Sequence, residues 1–129
     1  MRRSPEAIAV VLWATLATAG EPAVDYALNC QGCHRADGAG TPGKVPALAG
    51  SVGRFMHVDG GRDYLGQVPG AALSALDDAS LAGVLNWIVE RFGGETDFTR
   101  YTADEVGRLR KTPLVDVEGV RTRLLARAP

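Results

Sequence analysis

Chemistry-bearing side chains are scarce in this 129-residue chain, which holds two cysteines, two histidines, two methionines and only 6% aromatic residues. No second Cys or His pair stands at metal-ligand spacing, so a four-ligand zinc site is excluded. No Ser/His/Asp set, paired-carboxylate site or phosphate loop is present, which leaves catalysis without a cofactor unsupported. No hydrophobic run reaches the roughly 20 residues that span a bilayer. Net charge is also small, at −1, and no basic stripe of the kind that binds nucleic acid occurs. There is no internal repeat and no low-complexity run.

The scarce residues are concentrated. Both cysteines and one histidine fall in Cys30-Gln31-Gly32-Cys33-His34, the C-x-x-C-H pattern of a c-type haem attachment site. Two thiols at this spacing can each form a thioether with one haem vinyl group, and the histidine that follows is held against the iron as an axial ligand. A bare C-x-x-C also reads as a thiol–disulfide redox pair, but that expects a βαβ context. None is visible here.

Two further segments carry a family likeness. Cys33-His34-Arg35-Ala36-Asp37-Gly38-Ala39-Gly40 resembles the Gly-rich loop after the haem site of class I c-type cytochromes, and Pro46-Ala47-Leu48-Ala49-Gly50 resembles their P-x-L-x-G segment. The resemblance covers about residues 21 to 93. It implies an all-α class I cytochrome c fold around one haem c, covalent through Cys30 and Cys33, with His34 as proximal ligand and Leu48 at the haem. It further implies that the Pro46 carbonyl accepts the proton of the second ring nitrogen of His34, which fixes ring orientation and tunes the iron. The implied function is single-electron transfer between a donor dehydrogenase and an acceptor, not enzymatic turnover. A haem sensor or ligand-binding protein with an open sixth iron position is the alternative.

At the N-terminus, Met1-Arg2-Arg3 is a positive n-region, Ala7 to Ala17 an apolar h-region and Ala17-Thr18-Ala19 an A-x-A cleavage site. This is the pattern of a secretory signal peptide over residues 1–19, with export to the periplasm and no stable membrane span as its consequence. Export agrees with haem attachment, since a C-x-x-C without haem is expected to oxidise in that compartment. Removing Arg2, Arg3 and Glu6 leaves 12 basic and 14 acidic groups. Residues 20–98, the expected cytochrome domain, hold 5 basic and 10 acidic groups, and residues 99–129, an expected C-terminal helical extension, hold 7 and 4. Oligomeric state is not legible.

Glu21 to Asn29 reads as a short helix with Val24, Ala27 and Leu28 on its apolar face. Ala36 to Gly43 reads as loop. Ser51 to Val58 fits a short helix or an extended segment, and Arg62 to Val68 fits helical turns ending at Pro69-Gly70. Leu76 to Phe92 is the clearest helix, with Leu81, Val84, Leu85, Ile88, Val89 and Phe92 on one face, Asp77, Asp78 or Ser80 as cap and Gly93-Gly94 as stop. By resemblance this helix crosses the first one where Gly83 and Ala27 permit close approach, and Trp87 lies near the haem; a plain core tryptophan is the other reading. Thr102-Ala103-Asp104-Glu105 is a capping box opening a helix, and Asp116 to Ala128 places Val117, Val120 and Leu124 on one face of another.

Arg54 and Arg62 are candidates to pair with haem propionates, because guanidinium matches carboxylate geometry. The distal iron ligand is harder to place. Class I cytochromes usually present a Met-Pro step before their last core helix, and the matching step here is Val68-Pro69, which cannot ligate. Outside the signal and the pentad, Met56 is the remaining methionine and His57 the remaining histidine. Either one, or an empty position, completes the iron, since neighbours about 100 degrees apart on a helix cannot both reach it.

Overall fold

The computed structural model describes residues 20–129; the export signal expected over 1–19 lies outside the described residues. Those residues form helices joined by turns, with an isolated antiparallel bridge between Thr41 and Val45 and no strand among them. Helix α1, Pro22–Asn29, starts on Pro22, whose fixed φ suits the first turn. It buries Tyr26 rather than the expected face: Val24 and Leu28 are 53% and 77% exposed, and Ala27 is exposed too. One large ring outweighs three small side chains here, because Tyr26 packs against Trp87 and Phe92 with centroids 5.0 and 5.4 Å away. Gly83 does lie at the crossing, where a Cβ would come 3.5 Å from the Pro22 ring.

The pentad follows at once as the single turn α2, Gln31–His34. The chain then doubles back beneath it. Arg35 turns the backbone with a left-handed φ of 67°, Gly40 N–H donates to the His34 carbonyl at 3.0 Å, and Thr41 Oγ1 donates to the Cys33 carbonyl at 3.2 Å. Gly40 must be glycine: its φ is positive, and a Cβ would meet the Val45 carbonyl oxygen at 2.4 Å. Leu48 N–H closes the loop onto the Gly38 carbonyl at 2.8 Å.

A 3-10 turn, Val52–His57, leads to α3, Gly61–Gln67. Pro69 opens a further short helix, α4, Pro69–Ala72, instead of ending one, since proline at the first helical position loses no bond. Helix α5, Asp78–Gly93, is the centre of the fold. The Asp77 carboxylate accepts from Ser80 N–H at 2.7 Å and Gly94 closes the helix with φ 71°. All six residues of its expected apolar face are buried.

The extension comprises α6, Ala103–Leu109, and α7, Val117–Arg127, and both pack on the same core. Thr102 caps α6 by accepting from Glu105 N–H at 3.2 Å, but the Glu105 carboxylate does not reach back as a capping box requires; it is taken by Arg62. Tyr101, Val106 and Leu124 are buried, and each of the two aliphatic side chains contributes roughly 1.5–3 kcal/mol. Buried Asn86 of α5 ties the junction, accepting from Tyr101 N–H at 2.7 Å and donating to its carbonyl at 3.1 Å.

Candidate haem site

Between the pentad, the 3-10 turn, α3, α5 and α7 lies a cavity of about 340 Å³ with mostly apolar walls. Cys30, Cys33, His34, Pro46 and Leu48 all line it. A shallower cleft of about 400 Å³ between Asp78 and α6 shares no residue with it and contains neither cysteine nor histidine.

The cysteines are not bonded to each other, and Cys33 is exposed while Cys30 is half-buried. Burial first, then the Asp25 and Cys33 charges, pushes the Cys30 thiol above its ordinary value. A redox dithiol needs the opposite shift, so this environment suits covalent capture of a hydrophobic group better than thiol exchange. Burial lowers the His34 pKa; the nearby Pro46 carbonyl opposes that shift and the Arg121 charge adds to it. The imidazole is therefore held neutral, as an iron ligand must be. Its Nδ1 is buried without a well-formed hydrogen bond, although the Pro46 carbonyl is close enough to act on the ring. A planar apolar group in the cavity, with paired thiols and a neutral imidazole at its wall, fits these residues.

The remaining candidates lie elsewhere. Arg62 is committed to Glu105, with Nη2 to Oε2 at 2.8 Å, and sits 4.3 Å over the Tyr101 ring. Arg54 donates to the carbonyls of Leu125, Ala128 and Pro129, capping the C-terminal end of α7. Trp87 packs edge-on against Phe92 and away from the cavity wall. Met56 packs into the core from outside the cavity, and His57 is surface-lying, with Nε2 2.9 Å from Glu95 Oε1. A 3-10 turn explains this: Phe55 and Val52 take the inward positions, so their neighbours turn outward.

Three residues that the sequence did not mark as site residues complete the cavity. Val117 and Arg121 of α7 reach its wall, and Arg121 is anchored by Ser51 Oγ at 3.2 Å and by the Phe55 ring at 5.3 Å. Ser74, between α4 and α5, presents a buried hydroxyl without a partner. No local pattern announces a contact made across 70 residues; the apolar face of α7 was the available hint.

No family model matches the chain. A Cytochrome c-552 of Thermus thermophilus is 32% identical over 128 residues, covering 83% of this chain and 86% of the relative. A second Cytochrome c-552 from Thermus thermophilus is 34% identical over 107 residues, covering 67% of this chain and 82% of the relative. In the first match 128 positions exceed 83% of 129 residues, so this chain crosses the aligned span with fewer residues. The helical fold, the C-x-x-C-H wall of the cavity and these relatives agree: the chain belongs to the class I c-type cytochromes, electron-transfer proteins that carry one covalent haem c.

Proposed function

We propose that the chain is exported and acts in the periplasm as a monohaem carrier of single electrons between a donor dehydrogenase and an acceptor protein. The observation that carries this is the apolar cavity whose wall holds Cys30, Cys33 and His34 together. Cys30 and Cys33 form the two thioethers, His34 supplies the proximal nitrogen, and the Pro46 carbonyl orients its ring. Leu48, Val52 and the α5 face exclude water and hold the interior at low dielectric. Arg121 takes the propionate role expected of Arg54 or Arg62, because it is the guanidinium at the wall. When bound, the haem supplies a one-electron ferric/ferrous couple. Exposed Cys33 brings the thioether edge to the surface, where a redox partner can approach. The described residues include no helix long and apolar enough to cross a membrane.

The test is fractionation followed by stopped-flow mixing. Haem-stained protein in the periplasmic fraction, lacking residues 1–19 by mass and exchanging electrons rapidly with redox proteins, is the expected outcome. Haem that is stably reduced yet exchanges with no redox protein would overturn it.

A further inference from the structure

We propose that His34 is the single protein ligand of the iron, and that the cavity wall between α3 and α5 receives a small neutral diatomic molecule as the sixth ligand, with the Ser74 hydroxyl as its hydrogen-bond donor. This rests on the haem attachment and proximal ligation proposed above.

Two placements carry it. Met56 and His57 lie outside the cavity, and His57 is paired with Glu95. The wall that runs from α3 into the loop before α5 is built from Leu65, Val68, Pro69 and Ala71, none of which can coordinate iron. Tyr64 also lines it, but a neutral phenol is a poor ligand for ferrous iron, and its ring is stacked on Phe55 at 4.8 Å. Lys44 also lines the cavity, but it is exposed on the Thr41–Val45 turn hydrogen-bonded under the pentad, and an ammonium group has no lone pair to offer iron.

Ser74 supplies the polar element. Arg110 already occupies the Ala72, Ser74 and Leu76 carbonyls of this loop, at 3.1, 2.6 and 2.8 Å. The buried Ser74 hydroxyl is left without a partner at the cavity wall. A buried hydroxyl without a bond is costly, and an orphan at a site wall marks a missing partner. Tyr64 and Ser74 bring hydroxyls to this wall and no charged side chain does, which favours a neutral ligand with a weakly accepting outer atom over an anion, whose charge would lose its hydration there. Binding is coordination alone, with no electron transferred and no atom released.

The test uses the purified holoprotein with carbon monoxide as probe. Haem retained through denaturing electrophoresis establishes the attachment; its absence would overturn both proposals. With haem retained, the ferrous protein is expected to be high-spin and to bind carbon monoxide within mixing time, and Met56→Leu and His57→Ala should leave its spectrum unchanged. A low-spin ferrous spectrum that carbon monoxide does not alter would overturn this inference and leave the attachment standing. Ser74→Ala should shift the bound C–O stretch to higher frequency, and Ser74→Thr, which keeps the hydroxyl, should restore it; an unshifted stretch in Ser74→Ala would remove Ser74 from the site.

Discussion

Replacing Arg110 tests whether the extension holds the loop that walls the cavity. Its side chain, 18% exposed, donates Nε to the Ala72 carbonyl, Nη2 to Ser74 and Nη1 to Leu76, and pairs with Asp78 at 2.9 Å. The Asp78 carboxylate is 47% exposed, so the ion pair itself adds little. The three carbonyls matter more. A hydrogen bond to a charged group contributes about 1.5–3 kcal/mol, and discounting for water that can reach this partly exposed site leaves about 3 kcal/mol lost in Arg110→Ala. Arg110→Lys should recover about 1 kcal/mol, because an ammonium cannot span three carbonyls as the planar fork does. Urea unfolding of the holoprotein reads this as a lower midpoint at constant slope. A loss below about 1 kcal/mol for Arg110→Ala, or full rescue by lysine, would refute a guanidinium-organised loop.

Deleting residues 99–129 should abolish cooperative unfolding, checked by thermal denaturation, because Tyr101, Val106 and Leu124 leave the shared core. Gly61→Ala should destabilise by about 3 kcal/mol or more in urea, since its Cβ would fall 2.0 Å from the Phe55 carbonyl oxygen. Tyr101→Phe should cost about 1 kcal/mol by removing the hydroxyl's 2.9 Å bond to the Arg62 carbonyl. Burial pushes the Tyr101 phenol well above its ordinary value of 10.0, so the folded chain holds that proton more tightly than the unfolded one. The resulting stability is complete below pH 10.0 and declines as pH rises beyond it, a decline that Tyr101→Phe should reduce in urea midpoints measured across that range.

What could be read from the sequence was local. The pentad is five consecutive residues, and α5 has a 3.6-residue period long enough to define one buried face, so both stand where expected. Thr102 was legible for the same reason, since a cap needs only the next three residues, whereas α7 was read from its apolar face and its Asp116 cap appears only in the structure. Choices among equivalent residues were not legible. The chain holds twelve arginines, and which one meets the cavity depends on how α7 lies against Phe55 and Ser51, a contact invisible to spacing. Met56 and His57 were candidates by chemistry and scarcity, yet which neighbour a 3-10 turn directs inward is settled by the competing bulk of Phe55. The face of α1 was misjudged because a count of aliphatics undervalued one aromatic ring.

Residues on both sides of 98 and 99 share one core, so the basic extension is part of the packing around the cavity. Arg100 faces Glu90, Arg108 the Asp104 carbonyl, Arg110 the cavity loop, Arg121 Ser51, Arg123 Asp116 and Arg127 the Asp59 carbonyl. Arg110 and Arg121 work inward, whereas Arg100, Arg108, Arg123 and Arg127 make exposed contacts that leave their charge in water, and Lys111 is exposed as well. Exposed Cys33 marks the place where the cavity meets the surface. What the extension brings to the cavity is Val117 and Arg121, which wall it from α7.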